Sequence, residues 1–105
     1  MAFDRTVGRY ASFGIVTSLP GEVIDSFWYV IDNYLKGVIP LKSVIQFSIK
    51  NRGGKITLVF SQERYKNVLA VDLSSRFDSF YPTTVLLVDK QRQATITLPD
   101  EVSFI

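Results

Sequence analysis

The chain has 105 residues, a net charge of +2, and neither histidine nor cysteine. These missing side chains exclude histidine general bases, cysteine nucleophiles, disulfide bonds and the usual zinc sites. Its composition, 47% hydrophobic and 13% aromatic, is typical of a small domain stabilised by packing and backbone hydrogen bonds. We therefore expect a single α+β domain over residues 1–105. No apolar run approaches a signal-peptide core or a membrane span, so we expect a cytoplasmic protein.

The first half of the chain predicts a strand followed by one long helix. Small and apolar residues alternate over residues 9–16, which predicts a strand. Apolar residues then recur at helical spacing over residues 20–36, with Tyr34 on the apolar side and Tyr29 on the polar side. Ser18 is a suitable N-cap and Gly37 a suitable left-handed stop. We predict an amphipathic helix that buries one face.

The rest of the chain predicts strands joined by turns. Alternating apolar residues indicate strands at 42–50, 55–62, 68–73, 84–89 and 94–98. The connections are a glycine-rich turn at 51–54, a reversal at 63–67, a loop at 74–83 and a polar turn at 90–93. The order β-α-β-β-β-β-β predicts an antiparallel sheet of about five to six strands with the helix packed on one face. It does not fit a repeating βαβ order.

Carboxylates are the remaining source of catalytic chemistry. Glu22, Asp25 and Asp32 lie on one side of the predicted helix, where they could bind a divalent ion or act as acid and base. Acidic residues are ordinary on the wet face of a helix, and Asp32 with Lys36 forms an i, i+4 pair. We favour this structural interpretation and predict no enzyme, no catalytic residue, no cofactor and no metal. A carboxylate-based metal enzyme is the least favoured alternative.

Basic residues concentrate in the middle of the chain. Residues 36–66 contain seven lysines and arginines against one glutamate. The candidate nucleic-acid contacts among them are Lys50, Arg52, Lys55, Arg64 and Lys66. The predicted hairpin places the first three at its tip and the last two at the opposite end, whereas a nucleic acid needs a continuous basic path. Nucleic-acid binding is therefore an alternative that we do not favour, because solubilising turns explain these charges without a ligand.

Aromatic residues cluster in the predicted loop at 74–83. Phe77, Phe80 and Tyr81 fall within five positions, so they either close the end of the core or anchor a partner. Tyr29 is a fourth candidate because it interrupts the polar side of the helix. The favoured function is that of a non-enzymatic protein acting through protein–protein contacts. Self-association by strand addition is one form of this function.

Several short motifs follow one another along nearly the whole chain. They are Arg9-Tyr10-Ala11, Gly14-Ile15, Leu19-Pro20-Gly21-Glu22, Trp28 with Ile31-Asp32, Gln46-Phe47, Gln62-Glu63 with Tyr65, and Leu98-Pro99-Asp100-Glu101. In this order they resemble the bacterial family designated domain of unknown function 960. The resemblance implies a cytoplasmic protein of Gram-positive bacteria. It brings no established activity, cofactor or catalytic residue to this chain.

Overall fold

The computed structural model of the chain describes residue 3 and residues 7–62 and 65–104. Its elements are β1 (Gly8–Ala11), α1 (Phe13–Ser18), α2 (Gly21–Val30) continued by a π-helical turn (Ile31–Leu35), β2 (Val44–Arg52), β3 (Lys55–Gln62), β4 (Tyr65–Arg76), β5 (Thr84–Lys90), β6 (Gln93–Thr97) and a 3₁₀ helix (Pro99–Phe104). The strands form one sheet in the order β1-β6-β5-β2-β3-β4. The architecture is thus α+β, with six described strands and one main helix.

One strand pairing makes the sheet mixed, so the prediction of a purely antiparallel sheet is wrong. β1 runs parallel to β6, with Gly8 opposite Gln93 and Ala11 opposite Ile96. The other pairings are antiparallel. A tight turn specifies an antiparallel hairpin through neighbouring residues, whereas a parallel pair joins segments far apart in the chain. The local sequence pattern therefore carries no signal for the β1–β6 contact.

The strand predicted at 9–16 ends at Ala11, and its second half is the helix α1. Ser12 is the N-cap, because its Oγ accepts a hydrogen bond from the Ile15 amide at 3.3 Å. The Glu101 carboxylate accepts another from the Gly14 amide at 3.0 Å. These acceptors satisfy amides that the first turn of a helix leaves without a partner. A residue from the far end of the sequence thus favours helix over strand.

The main helix begins at Gly21, one residue later than predicted, and its π-helical continuation ends at Leu35, one residue earlier than predicted. Ser18 is not its N-cap, because Ser18 closes α1 and Pro20 stands at the N-cap position of α2 without a side-chain hydrogen bond. At the other end, Gly37 adopts a φ of 76°, which confirms the predicted left-handed stop. Tyr34 is 43% exposed rather than buried. The π-helical turn changes the angular position of its side chain relative to a regular α-helix.

The remaining strands match the predicted ones with shifted ends. β4 extends over residues 65–76, so it includes part of the predicted turn at 63–67 and part of the predicted loop at 74–83. Residues 63–64 of that turn lie outside the described residues. The polar turn between β5 and β6 is confirmed and tightens to Gln91 and Arg92, whose φ angles are 52° and 66°. Two successive left-handed residues are typical of a type I′ hairpin turn.

The core lies between α2 and one face of the sheet, as predicted. Phe27 of α2 meets Phe47 of β2 edge to face, with ring centroids 5.3 Å apart. Phe47 lies 5.7 Å from Phe60 of β3. Alternate residues of β2 and β3 share this face because side chains of a strand point to opposite sides. Among the described residues, no helix is long and apolar enough to cross a membrane.

Candidate interaction surface

Two surfaces predicted separately from the sequence are neighbours at one end of the sheet. β2 and β3 meet at a tight turn formed by Gly53 and Gly54, whose φ angles are 62° and 87°. The Asn51 side chain accepts a hydrogen bond from the Gly54 amide at 2.9 Å and closes this turn. The Gly54 carbonyl in turn accepts from the Phe77 amide at 2.9 Å. The hairpin tip is therefore joined to the aromatic loop that leads to β5.

The three rings of the aromatic loop have two different environments: two pack against the core and one is exposed. Phe77 and Tyr81 are partly buried against the core and meet edge to face, with centroids 6.3 Å apart. They close the end of the sheet, as the structural interpretation of this loop predicts. Phe80 is 93% exposed and contributes nothing to the core. Only one of the three rings is therefore available as an anchor.

Phe80 stands on an ordered turn. The Asp78 side chain accepts a hydrogen bond from the Phe80 amide at 2.8 Å. The Asp78 backbone carbonyl accepts from the Tyr81 amide at 3.0 Å. This Asx-type arrangement fixes the backbone on both sides of the exposed ring. When a partner buries Phe80, the turn that carries this ring would therefore lose little backbone entropy.

Four basic residues surround this end of the sheet. Lys50 and Arg52 of β2, Lys55 of β3 and Arg76 of β4 are all exposed, and Arg76 lies opposite Lys55 in the sheet. We call these four residues together with Phe80 the hairpin-end surface. Arg76 is absent from the sequence-based candidates, because the pattern predicts that the strand ends at residue 73. Arg76 is far from the hairpin in sequence, so the local pattern does not indicate that it lies opposite Lys55.

One carboxylate partly neutralises the hairpin-end surface. The Arg52 guanidinium lies 3.4 Å from Asp72, with both side chains mostly exposed. Asp72 also accepts a hydrogen bond from the Thr57 hydroxyl at 2.6 Å. The ion pair is long and exposed, so it contributes little to stability and leaves Arg52 able to exchange partners.

Of the other predicted nucleic-acid contacts, Lys66 does not join this surface. Lys66 lies near the start of β4, and β4 begins opposite Gln62 at the end of β3 distant from the tip. Arg64 lies outside the described residues. Three of the five candidates, Lys50, Arg52 and Lys55, are therefore brought together.

Tyr29 lies on a different surface. It is 59% exposed, and its ring meets that of Tyr34 at 6.1 Å. Residues five apart in a regular α-helix point roughly 140° away from each other. The π-helical turn brings these two rings together. Tyr29 thus belongs to a tyrosine pair on the helix and not to the aromatic loop.

A charge cluster fixes this end of the helix to the sheet edge. Arg9 of β1 donates to both oxygens of Asp32, at 2.9 and 2.5 Å, and its guanidinium lies 4.9 Å from the centre of the Trp28 ring. Lys36 lies 3.3 Å from Asp32, as the i, i+4 spacing predicts. The hydrogen bond from Arg9 is the main cause that lowers the pKa of Asp32 below its ordinary value. Asp32 therefore stays ionised and paired at neutral pH.

The carboxylates proposed as a metal site do not form one in the part of the chain that the structure describes. Glu22 and Asp25 are exposed on α2, while Asp32 is committed to Arg9 and Lys36. Across the described ranges, no group of three or more acidic side chains could hold a metal ion.

A second carboxylate connects the two ends of the sequence. Glu101 accepts hydrogen bonds from the Ser12 hydroxyl at 2.6 Å and from the amides of Gly14 and Leu98 at 3.0 and 3.2 Å. The bond from Ser12 is the main cause that lowers the pKa of Glu101 below its ordinary value. We call this arrangement the Glu101 clasp, because it holds the 3₁₀ helix against the start of α1.

Gln62 also has a structural role. Its side chain is buried, accepts a hydrogen bond from the Lys42 amide at 3.1 Å and donates one to the Pro40 carbonyl at 2.8 Å. Both bonds fix the segment that connects the helix to β2. Its motif partner Glu63 lies outside the described residues.

The fold and these surfaces define a small α+β domain whose mixed sheet carries one main helix. Comparison with known families identifies it further. The chain belongs to the family described as staphylococcal protein of unknown function (DUF960), whose profile matches residues 8–101. This confirms the resemblance that the order of motifs indicated.

A solved structure supports the same fold. The chain is similar to a protein of unknown function from Enterococcus faecalis, with a TM-score of 0.86 and 44% sequence identity. The likeness covers 94% of this chain and 92% of that one. None of the curated proteins matches the chain. Both descriptions leave the activity open, so any function has to be argued from the surfaces.

Proposed function

We propose that this protein is a non-enzymatic binding protein that engages a partner protein through the hairpin-end surface. The observation that carries this proposal is Phe80, a large aromatic ring that is 93% exposed on a hydrogen-bonded turn. Exposing such a ring costs solvation free energy without improving the core, and buried aromatic anchors dominate the energetics of many interfaces. The sequence-based prediction of a cytoplasmic location is part of the same proposal.

The charges around Phe80 favour an acidic partner. Lys50, Arg52, Lys55 and Arg76 supply four positive charges at this end of the sheet, against the carboxylates of Asp72 and Asp78. Exposed rim charges of one sign raise the association rate of an oppositely charged partner more than they raise its affinity. The expected partner is therefore a protein segment that combines acidic residues with a pocket for one aromatic ring.

An enzymatic role has less support. The chain has no histidine or cysteine, and the pKa values of Asp32 and Glu101 are lowered, which makes both carboxylates weaker bases. A general base works best with a pKa near the working pH. The hydrogen bonds around both groups serve the fold instead.

Single-stranded nucleic acid is a second candidate for the same surface. An exposed ring at the same end of the sheet as several cations resembles the combination on which bases stack and phosphates bind. Lys50, Arg52 and Lys55 lie at the hairpin tip, and the bond from the Phe77 amide to the Gly54 carbonyl joins this tip to the loop that carries Phe80. This candidate predicts binding that falls steeply as salt increases.

The test compares substitutions of two phenylalanines that are both largely exposed. Phe80→Ser removes the proposed anchor. Phe13→Ser is the matched control, because Phe13 is 82% exposed on α1, which follows the edge strand β1, three strands away from β2 in the sheet. The tagged protein and both variants are cross-linked in cell extract, and the captured proteins are quantified. We expect a partner that the wild type and Phe13→Ser retain and Phe80→Ser loses. A partner retained equally by all three proteins would refute the role of Phe80.

Labelled single-stranded oligonucleotides distinguish the two candidates. Fluorescence anisotropy is measured at low and near-physiological salt with the wild type and with Lys55→Glu. Binding that survives physiological salt and weakens in both Lys55→Glu and Phe80→Ser would establish the nucleic-acid candidate. No binding at low salt would discard it and leave the protein partner.

A further inference from the structure

β4 forms one edge of the sheet and carries a short, regular segment without a partner strand on its outer side. Among the described strands it pairs only with β3. Pairing is regular from Leu69 opposite Phe60 to Asp72 opposite Thr57, and the register shifts on both sides of this stretch. Such irregularities interrupt the straight edge that an added strand needs. Any added strand is therefore confined to the stretch around residues 69–73.

The apolar residues of this stretch form a palindrome. Leu69, Val71 and Leu73 alternate with Ala70 and Asp72, and all three are partly buried hydrophobics packed against the core. In an antiparallel pair related by a two-fold axis, residue i of one copy faces residue j of the other with i + j constant. A stripe of Leu, Val and Leu matches its own reversed copy. The edge is thus complementary to itself.

Charge and hydrophobic pattern select one register. An axis at Val71 places Leu69 opposite the partner's Leu73 and Ala70 opposite the partner's Asp72. An axis at Asp72 places two carboxylates directly opposite each other, which is unfavourable. An axis at Ala70 places Leu73 opposite the partner's Asn67, which breaks the apolar match. Only the axis at Val71 keeps the apolar face continuous and the carboxylates apart.

The other edge of the sheet lacks these features. β1 has only four residues, and Arg9 on it is committed to Asp32 and Trp28. It offers neither a long edge nor an apolar stripe. The β4 edge is therefore the favoured place for an added strand.

We infer that the chain forms a two-fold dimer by antiparallel pairing of β4 with β4 of a second copy, centred on Val71. Self-association by strand addition is expected from the sequence. In this dimer the added strand lies at the β4 edge, in the register centred on Val71. It is independent of the hairpin-end surface, because it uses neither Phe80 nor the basic residues around it. The paired stretch is about five residues long, well short of the roughly 800 Å² per partner of a standard interface, so the dimer is weak and depends on concentration.

The absence of cysteine from the chain allows a register-specific test. Opposed residues of an antiparallel pair have Cα atoms about 4.5–5.5 Å apart, which a disulfide can bridge. Val71→Cys places two thiols opposite each other across the axis. Leu69→Cys is the matched control, because the two copies of residue 69 are offset by four positions, about 13 Å along the strands. The double variant Leu69→Cys with Leu73→Cys again gives opposed thiols, because position 69 of each copy faces position 73 of the other.

We expect oxidation to convert Val71→Cys and the double variant into covalent dimers and to leave Leu69→Cys monomeric. The far-UV circular dichroism of each variant is compared with that of the wild type to confirm that it is folded. Equal cross-linking of Val71→Cys and Leu69→Cys would show random collision and overturn the register. No cross-linking of folded Val71→Cys at the highest soluble concentration would overturn the dimer.

Sedimentation of the wild-type protein, which has no cysteine, gives a second measurement of self-association. The wild-type protein should show an average mass that rises with concentration, and Phe80→Ser should behave identically. Val71→Lys places two ammonium groups opposite each other and should weaken association at least about tenfold. A wild-type protein that stays monomeric at all concentrations would refute the inference and leave the function proposed for Phe80 untouched.

Discussion

Replacing Glu101 by glutamine tests whether one carboxylate holds the two ends of the sequence together. The change keeps the shape of the side chain but replaces one acceptor oxygen by an NH₂ group, which cannot accept the bond from the Gly14 amide. The remaining bonds from Ser12 and Leu98 become bonds to a neutral group. Glu101→Gln should therefore loosen both the start of α1 and the 3₁₀ helix.

The magnitude follows from the hydrogen bonds that change. A bond to a charged group contributes about 1.5–3 kcal/mol, and a neutral one about half as much. The lower ends of these values sum to about 3 kcal/mol for one lost bond and two weakened ones, and because Glu101 is only partly buried, water replaces part of that loss. The expected loss in the free energy of unfolding is about 2 kcal/mol. For a domain of this size that lowers the melting temperature by roughly 10 °C.

The effect should depend on pH with a definite sign. The pKa of Glu101 in the folded protein lies below its ordinary value of 4.5. Its ionised form therefore stabilises the fold above about pH 4.5, and this stabilisation disappears as the pH falls through the lower folded-state value. The difference in the free energy of unfolding between the wild type and Glu101→Gln should be complete at pH 7 and should shrink as the pH falls below about 4.5.

Thermal and urea unfolding followed by circular dichroism measures this difference. Asp100→Asn is the control, because Asp100 is exposed on the same 3₁₀ helix and its change should have little effect at either pH. If Glu101→Gln were as stable as the wild type at pH 7, the clasp would not contribute to stability. A destabilisation that stays equally large as the pH falls from 7 to well below 4.5 would refute the electrostatic reasoning.

Three further changes have expected outcomes that urea unfolding can measure. Asp32→Asn weakens the pair with Arg9 and should lower the free energy of unfolding by about 0.5–1 kcal/mol at low salt. Because the pair is exposed, the loss should be smaller in 1 M salt. An equal loss at both salt concentrations would contradict this. Gly37→Ala should cost about 1 kcal/mol because Gly37 has a φ of 76°, whereas Gly21→Ala, at an ordinary φ with open space around it, should cost nothing. Gln62→Ala should cost about 2 kcal/mol, because two backbone groups lose a buried partner, and a neutral result would mean that water replaces both bonds.

The elements that the sequence predicted well are those whose cause is local. The 3.6-residue period of the main helix, its glycine stop and the glycine turn between β2 and β3 depend on residues within a few positions of each other. The structure accordingly places the helix, the hairpin and the final tight turn where the pattern predicts them. The family could be identified for the same reason, because order and spacing of motifs are properties of the sequence.

The candidate surface was predicted only in its parts. The sequence identified the aromatic loop and the basic hairpin tip, but treated Phe77, Phe80 and Tyr81 as equivalent. Their difference depends on which ring finds space against the core, and Phe80 does not. Likewise, Arg76 joins the basic residues because β4 continues three residues beyond the point where alternation ends. Neither outcome leaves a pattern in the sequence.

By itself, the sequence determined the class of domain, the main helix, the hairpins and the absence of imidazole and thiol chemistry. These follow from composition and from interactions between near neighbours in the chain. Only the tertiary structure decided that β1 pairs in parallel with β6, that residues 13–18 form a helix, and that the aromatic loop is joined to the hairpin tip through Phe77. Each of these depends on groups that are distant in sequence, such as Glu101 with Ser12 or Gly54 with Phe77. Their free energies exist only once the chain has folded, so no local propensity encodes them.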